Sequence, residues 1–256
     1  LQPQHPVSQN LRRFQHRLAS EGSPRGQGLR AAHRCNRMQM GRLPKISTVL
    51  IQVETLARSF AQLARSAEKT SSSVAVPKKP LDSPPLHIHK LGAEVLRVEG
   101  RRVGKVDESV RDLARDMLRS MYTAHGIGLA APQVGVDKQL LVIDLDPETP
   151  STPPLVLINP EIISSSAGLD TYEEGCLSIP GVYLDVVRPT AVQVSFRDEM
   201  GRPRTMKADG LMARCIQHEI DHLNGVLFVD RVTDKDGLLK ELKDHGFQSS
   251  DVRAIS

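Results

Sequence analysis

Gln217-His218-Glu219-Ile220-Asp221-His222 places two histidines four residues apart, with a glutamate directly after the first. The flanking residues predict a helix. Asp209 is a candidate N-cap, Leu211, Cys215, Ile216, Ile220 and Leu223 recur at helical spacing, and Gly225 is a stop signal. Residues four apart share a helix face, so both imidazoles can reach one point, which suits a divalent metal. Glu219 is then placed to take a proton from a water on that metal. Two surface histidines at this spacing by chance are the plain alternative. A catalytic metal normally has three protein ligands and one open position. The extended metalloprotease pattern H-E-x-x-H-x-x-G-x-x-H fits at Gly225 but puts Phe228 where the third histidine belongs. Asp230, Glu241 and His245 stand at no recognised ligand spacing, which directs the search upstream.

Two upstream stretches are costly in a plain core. In Gly126-Ile127-Gly128-Leu129-Ala130-Ala131-Pro132-Gln133-Val134-Gly135, glycines and small residues let backbone approach a ligand closely. Gln133 is the one side chain there that can donate a hydrogen bond. Ala131 replaces the third glycine of the dinucleotide fingerprint, and the helix precedes the stretch, so that motif is excluded. A purely structural loop is the competing reading. In Glu173-Glu174-Gly175-Cys176-Leu177-Ser178-Ile179-Pro180-Gly181 a cysteine sits among turn residues. Cys176 is either a nucleophile paired with a histidine or the missing third ligand. Cys215 falls within the helical pattern and reads as a packed small apolar residue.

The elements that must position these residues are legible in outline. With 3% aromatics and no Trp, aliphatic side chains and Met must build the core. A chain of 256 residues suits one core of about 150–180 residues plus an appendage. A helix is expected over 107–124, capped by Asp107, with Val110, Leu113, Ala114, Met117, Leu118 and Met121 on one face. Strands are expected at 139–144, 155–158 and 191–197, with a turn at 198–203. Strands cluster between helices rather than alternating with them, so the fold class is α+β, antiparallel strands around the H-E-x-x-H helix. The cysteines, Cys35, Cys176 and Cys215, are too sparse and odd in number for a disulfide framework and fit a reduced compartment. No apolar run reaches membrane-spanning length.

Residues 1–80 carry 14 Lys or Arg against 3 acidic residues, a net +11 in a chain of net +4. This Arg- and Ser-rich, acid-poor composition is that of an organelle transit peptide, and 48–67 can form a short amphipathic helix. A basic nucleic-acid arm is the rival reading, but the segment lacks an aromatic series to stack on bases, so no nucleic-acid binding is expected. The Pro-rich stretch from Val76 to Pro85 reads as a linker. The expected organisation is therefore an extension and linker over 1–80, a catalytic domain over 81–235, and a tail over 236–256 with a short polar helix from Asp236 to His245.

In order along the chain, G-x-G-x-A-A-x-Q (Gly126 to Gln133), E-G-C-L-S (Glu174 to Ser178) and Q-H-E-x-D-H (Gln217 to His222) resemble the peptide deformylase family. The resemblance runs from roughly residue 85 to 235, including Val95-Leu96-Arg97 and Leu227-Phe228-Val229-Asp230-Arg231. It implies a metallohydrolase that removes the N-formyl group from the initiator methionine of nascent chains, near the ribosome, releasing formate. Cys176, His218 and His222 would hold one metal, ferrous iron by resemblance, although zinc, cobalt and nickel suit the same donors. Glu219 would be the general base, with the Gln133 amide and the Leu177 backbone N–H donating to the formyl oxygen. Glu174 would orient its loop, Gly126 and Gly181 would let a peptide backbone dock in extended form, and Ile127, Gly128, Glu174 and Gly175 would border the substrate. Ile127, Leu211 and Cys215 would line the methionine pocket. Arg214 departs from the aliphatic residue common in relatives, and its stem is expected along the pocket rim. A peptidase and a non-catalytic metal-binding protein are the rival functions. Phe228 speaks against the first, and the intact Glu219 and Gln133 against the second. Pro180-Gly181-Val182-Tyr183 resembles cyanobacterial forms, which with the basic extension points to a plastid before a mitochondrion.

Overall fold

Helix α1 (Glu108–Thr123) starts where the Asp107 carboxylate accepts a hydrogen bond from the Val110 backbone N–H at 3.3 Å, as its N-cap position predicts. This computed structural model describes residues 74–254. The expected transit segment up to residue 73, with its 48–67 helix, lies outside the described residues. Val110, Ala114, Met117, Leu118 and Met121 are buried, so the predicted apolar face of α1 is the packed one.

That face lies on an antiparallel sheet of β1 (Gly128–Ala130), β2 (Leu140–Ile143), β3 (Leu155–Ser165), β6 (Ala191–Arg197) and β7 (Pro203–Asp209), in the order β1-β2-β3-β6-β7. Strands β4 (Leu169–Cys176) and β5 (Ile179–Pro189) pair as a separate antiparallel ribbon. Leu140 and Val142 of β2 pack with α1, whereas Leu141 and Ile143 pack with the second long helix, α2 (Gly210–Leu223). A strand covered on both faces reads as an unbroken apolar run, as this one does. The sheet thus lies between α1 and the H-E-x-x-H helix, and the α+β expectation is met. No helix among the described residues is long and apolar enough to cross a membrane.

Several details depart from the sequence reading. Gly126–Gly135 is not all loop: β1 and a 3₁₀ turn at Ala131–Val134 occupy most of it. Asp209 holds the N-cap position of α2, but its side chain makes no capping hydrogen bond. The Pro-rich segment assigned to the linker lies against α1. Val74 is buried, Lys78 pairs with Asp144 at 2.6 Å, and the Leu81 and Leu86 backbone N–H groups donate to Thr123 and Ser120. A turn at Phe228–Arg231 (α3) and a polar helix at Lys235–Asp244 (α4) close the chain. Leu238 and Leu242 of α4 are buried with Ile179, Val182, Val186 and Phe228, so the tail packs with the catalytic part.

Candidate metal centre

Cys176 is the last residue of β4, and a two-residue turn, Leu177-Ser178, leads into β5. His218 and His222 lie one turn apart on α2, their ring centroids 5.0 Å apart. The ribbon end and the helix meet so that the ligand atoms of Cys176, His218 and His222 lie within 4.8 Å of one another. Cys176 Sγ is 3.2 Å from His222 Nε2. The choice left open by sequence for Cys176 is therefore narrowed by geometry: it faces two imidazoles, as a third donor would. One sulfur and two imidazole nitrogens converging on a point suit zinc, ferrous iron, cobalt or nickel, so the residues present fit a divalent metal. Burial, then the nearby His218, pulls the His222 pKa well below the usual histidine value. Phe228, which occupies the metalloprotease position, stacks on the His218 ring at 6.0 Å.

His218 is turned toward the cluster by its far nitrogen. Its Nδ1 lies 2.9 Å from Glu174 Oε2, the carboxylate–histidine pairing that fixes ring orientation at metal sites. Burial alone would lower the His218 pKa, but hydrogen bonds to Cys176 and Glu174 outweigh it and hold it well above the usual value. Glu174 is buried and saturated with donors. Arg188 Nε and Nη2 reach Oε1 and Oε2 at 2.6 and 2.9 Å, and Arg214 Nη1 reaches Oε1 at 2.7 Å. Burial would raise its pKa, but His218 and Arg188 reverse that and keep it far below the ordinary range. Arg188 extends the chain to Asp221 at 2.8 Å, which Arg231 also holds. Arg214 corrects the expectation of a stem on the pocket rim. Its side chain is buried, bonded also to the carbonyls of Val186 and Asp170, because a charged fork finds a carboxylate and two backbone acceptors there. Sequence reading assigned no role to Arg188 or Asp221, whose partners lie 14 and 33 residues from Arg188.

Around the cluster stand the remaining candidates. Gln133 Oε1 accepts from the Ala130 N–H at 2.8 Å, which aims Nε2 at Cys176 Sγ (3.4 Å) and Ser178 Oγ (3.1 Å). Leu177 follows the cysteine directly and packs partly against the α1 core. Leu211, Cys215, His218 and His222 follow one another at helical spacing along α2. Cys215 is buried beside the half-buried Ile127, whose carbonyl its thiol approaches at 3.9 Å; Leu211 is half-buried. Glu219 is fully enclosed and its Oε2 has no hydrogen-bond partner. Burial pushes its pKa up to about 7.

The glycines have a steric reason. A Cβ on Gly128 would stand 2.3 Å from Glu219 Oε1 and 2.9 Å from Cys215 Sγ, and one on Gly126 2.6 Å from Leu177. A Cβ on Gly175 would strike the Tyr183 ring at 2.5 Å. Gly128→Ala must displace Glu219. It is expected to lower kcat/KM about 10²-fold, because small misplacements of a reacting group are costly. Overpacking of this kind also costs roughly 1–3 kcal/mol, which thermal unfolding reads separately. Unchanged turnover would show that the position of Glu219 does not matter. A surface groove lined by Arg102, Glu161, Arg197 and Arg204 shares no residue with this centre.

A match to the polypeptide deformylase family spans residues 85–237. The chain is 81% identical over 201 residues to a peptide deformylase of Synechococcus sp. strain CC9311, covering 78% of this chain and 100% of that one. It is 77% identical over 200 residues to peptide deformylase 2 of Prochlorococcus marinus strain MIT 9313, covering 78% and 100%. Among solved structures it is similar to a peptide deformylase from Synechococcus elongatus crystallised with actinonin, at TM-score 0.70 and 57% identity, covering 71% of this chain and 98% of that one. A plant peptide deformylase gives TM-score 0.60 at 40% identity, covering 64% and 89%. The family match takes in every strand and helix that carries the cluster and more than half of the chain, and this chain belongs to the peptide deformylase family.

Proposed function

We propose that this peptide deformylase hydrolyses the formyl amide of N-formyl-methionyl nascent chains made in a plastid. The observation that carries the reading is the meeting of Cys176, His218 and His222 within 4.8 Å, with Glu219, whose Oε2 has no hydrogen-bond partner, on the helix of the two histidines. A divalent metal held by those three residues, ferrous iron before zinc, cobalt or nickel, supplies a Lewis acid for water and for the formyl oxygen. Glu219 takes the proton of the attacking water as its oxygen adds to the formyl carbon. Its pKa of about 7 suits a group that must both accept and return a proton near neutral pH. Gln133 Nε2 and the Leu177 backbone N–H donate to the oxygen on which negative charge develops, each worth about 3 kcal/mol in comparable sites. The C–N bond breaks as Glu219 passes its proton to the amine nitrogen, and formate leaves. Ile127, Leu211 and Cys215 face the methionine side chain, and Gly126, Gly128 and Gly175 leave room for the Leu177, Glu219 and Tyr183 side chains packed against them.

The plastid assignment rests on the basic, Ser- and Arg-rich, acid-poor composition of the first 73 residues, the composition of a transit peptide. Two measurements test the reading. Formate release from a formyl-methionyl tripeptide by the full chain should vanish on chelation and return on anaerobic addition of ferrous iron. Cleavage of an internal peptide bond instead would make the protein a peptidase. Residues 1–73 fused to a fluorescent protein should accumulate in the plastid of an algal cell, and a mitochondrial or cytosolic signal would overturn the location.

A further inference from the structure

Three consecutive residues upstream of α1 donate to the two loops that furnish the centre. The His89 backbone N–H bonds the Gln133 carbonyl at 2.8 Å, and the Leu91 N–H bonds the Ser178 carbonyl at 2.9 Å. Between them, the Lys90 ammonium bonds the Leu177 carbonyl at 2.7 Å. That carbonyl and the Ser178 N–H are the two ends of one peptide unit, and the Ser178 N–H donates to Cys176 Sγ at 3.4 Å. A cation on the oxygen of an amide draws electrons from its nitrogen and strengthens the N–H as a donor, so bonds in series reinforce one another. Gln133 Nε2 gives the same sulfur its second donor, and His89 fixes the backbone of that residue too.

We propose that Lys90 is a positioning residue that acts on the Cys176 sulfur through the Leu177–Ser178 peptide unit. By polarising the N–H that the sulfur accepts, it sets how readily the sulfur gives electrons to a metal, and it fixes the carbonyl of the residue whose N–H faces the formyl oxygen. The proposal rests on Cys176 being a metal ligand. Lys90 lies outside all three sequence motifs, and its own contact is with a carbonyl rather than with any reacting atom.

The test uses the full chain loaded with cobalt(II), as parent, Lys90→Met and Lys90→Arg. Loss of a donor raises the energy of the sulfur lone pairs, so the sulfur-to-cobalt charge-transfer absorption should move to longer wavelength in Lys90→Met and stay at the parent position in Lys90→Arg. Formate release should fall about 10-fold in kcat at unchanged KM in the Met variant, as removal of an outer partner at a metal site does, and recover with Arg. A Lys90→Met spectrum superimposable on the parent overturns the proposal, as does an equal shift in both variants, which would make side-chain shape rather than charge the cause. A parent without sulfur-to-cobalt absorption removes Cys176 as a ligand and takes the proposal with it. A parent with that absorption but no formate release overturns the proposed reaction while leaving the Lys90 comparison decisive.

Discussion

Glu219→Gln is expected to lower kcat/KM for a formyl-methionyl peptide by about 10²–10⁴-fold while metal content stays at the parent level. The substitution is nearly isosteric and removes only the capacity to take a proton. Glu219 is not one of the three converging donors, so metal analysis separates loss of base from loss of metal. Stability separates loss of base from loss of fold. Folding raises the Glu219 pKa from 4.5 to about 7, so the native state binds the proton more tightly than the unfolded chain. The carboxylate therefore destabilises the fold progressively as pH rises through that interval, and the full penalty remains above it. Gln carries no such penalty, so the variant should unfold no earlier than the parent at pH 8. A variant that releases formate at near-parental rate would remove Glu219 from the chemistry. One that loses activity together with metal would assign it a role in binding instead.

The three motifs were readable because each has a short-range physical cause. Helical spacing marks His218 and His222, turn residues mark Cys176 and small neighbours mark Gln133 as candidates. The choice of ligand over nucleophile for Cys176 and the donor role of Gln133 come from the family resemblance rather than from local sequence. The first helix was readable from one cap and one apolar face, and β6 from alternation. The β4–β5 ribbon was missed because its outward face mixes Leu169, Val187 and Pro189 with Glu173 and Asp185, so no clean alternation marks it. β7 was hidden by its opening Pro203-Arg204, which reads as turn. The linker reading of 76–85 failed to foresee packing on α1 because prolines forbid regular structure without forbidding contact. The charged residues behind the cluster were illegible for a different reason. Arg188 and Arg214 reach Glu174 across two strands and a helix, and such partners are set by topology rather than spacing.

Arg188→Met should cost about 3–5 kcal/mol of stability, because it strands buried charges rather than removing a balanced pair. Arg188 and Glu174 side chains are 3% and 5% exposed, and Asp221 is 8%. Burial alone would lower the Arg188 pKa, yet Glu174 and Asp221 hold it above the usual arginine value, so the charge is fixed. In a unit of this size the loss corresponds to a fall in Tm on the order of 10 °C. Its consequence for the centre runs through Glu174, which without Arg188 keeps one guanidinium, Arg214, and the His218 ring. A less constrained carboxylate orients His218 less well, and metal affinity should fall by roughly 10–100-fold. At a fixed metal concentration this adds about 1.4–2.8 kcal/mol to the destabilisation seen only when metal is present. Thermal unfolding of parent and variant, each with metal and after chelation, should therefore show the larger difference in the metal-loaded pair. An equal fall in both pairs would confine Arg188 to holding the fold. A fall smaller than about 1 kcal/mol in either would mean that Arg214 and Arg231 alone neutralise Glu174 and Asp221, and that the buried chain of charges is redundant.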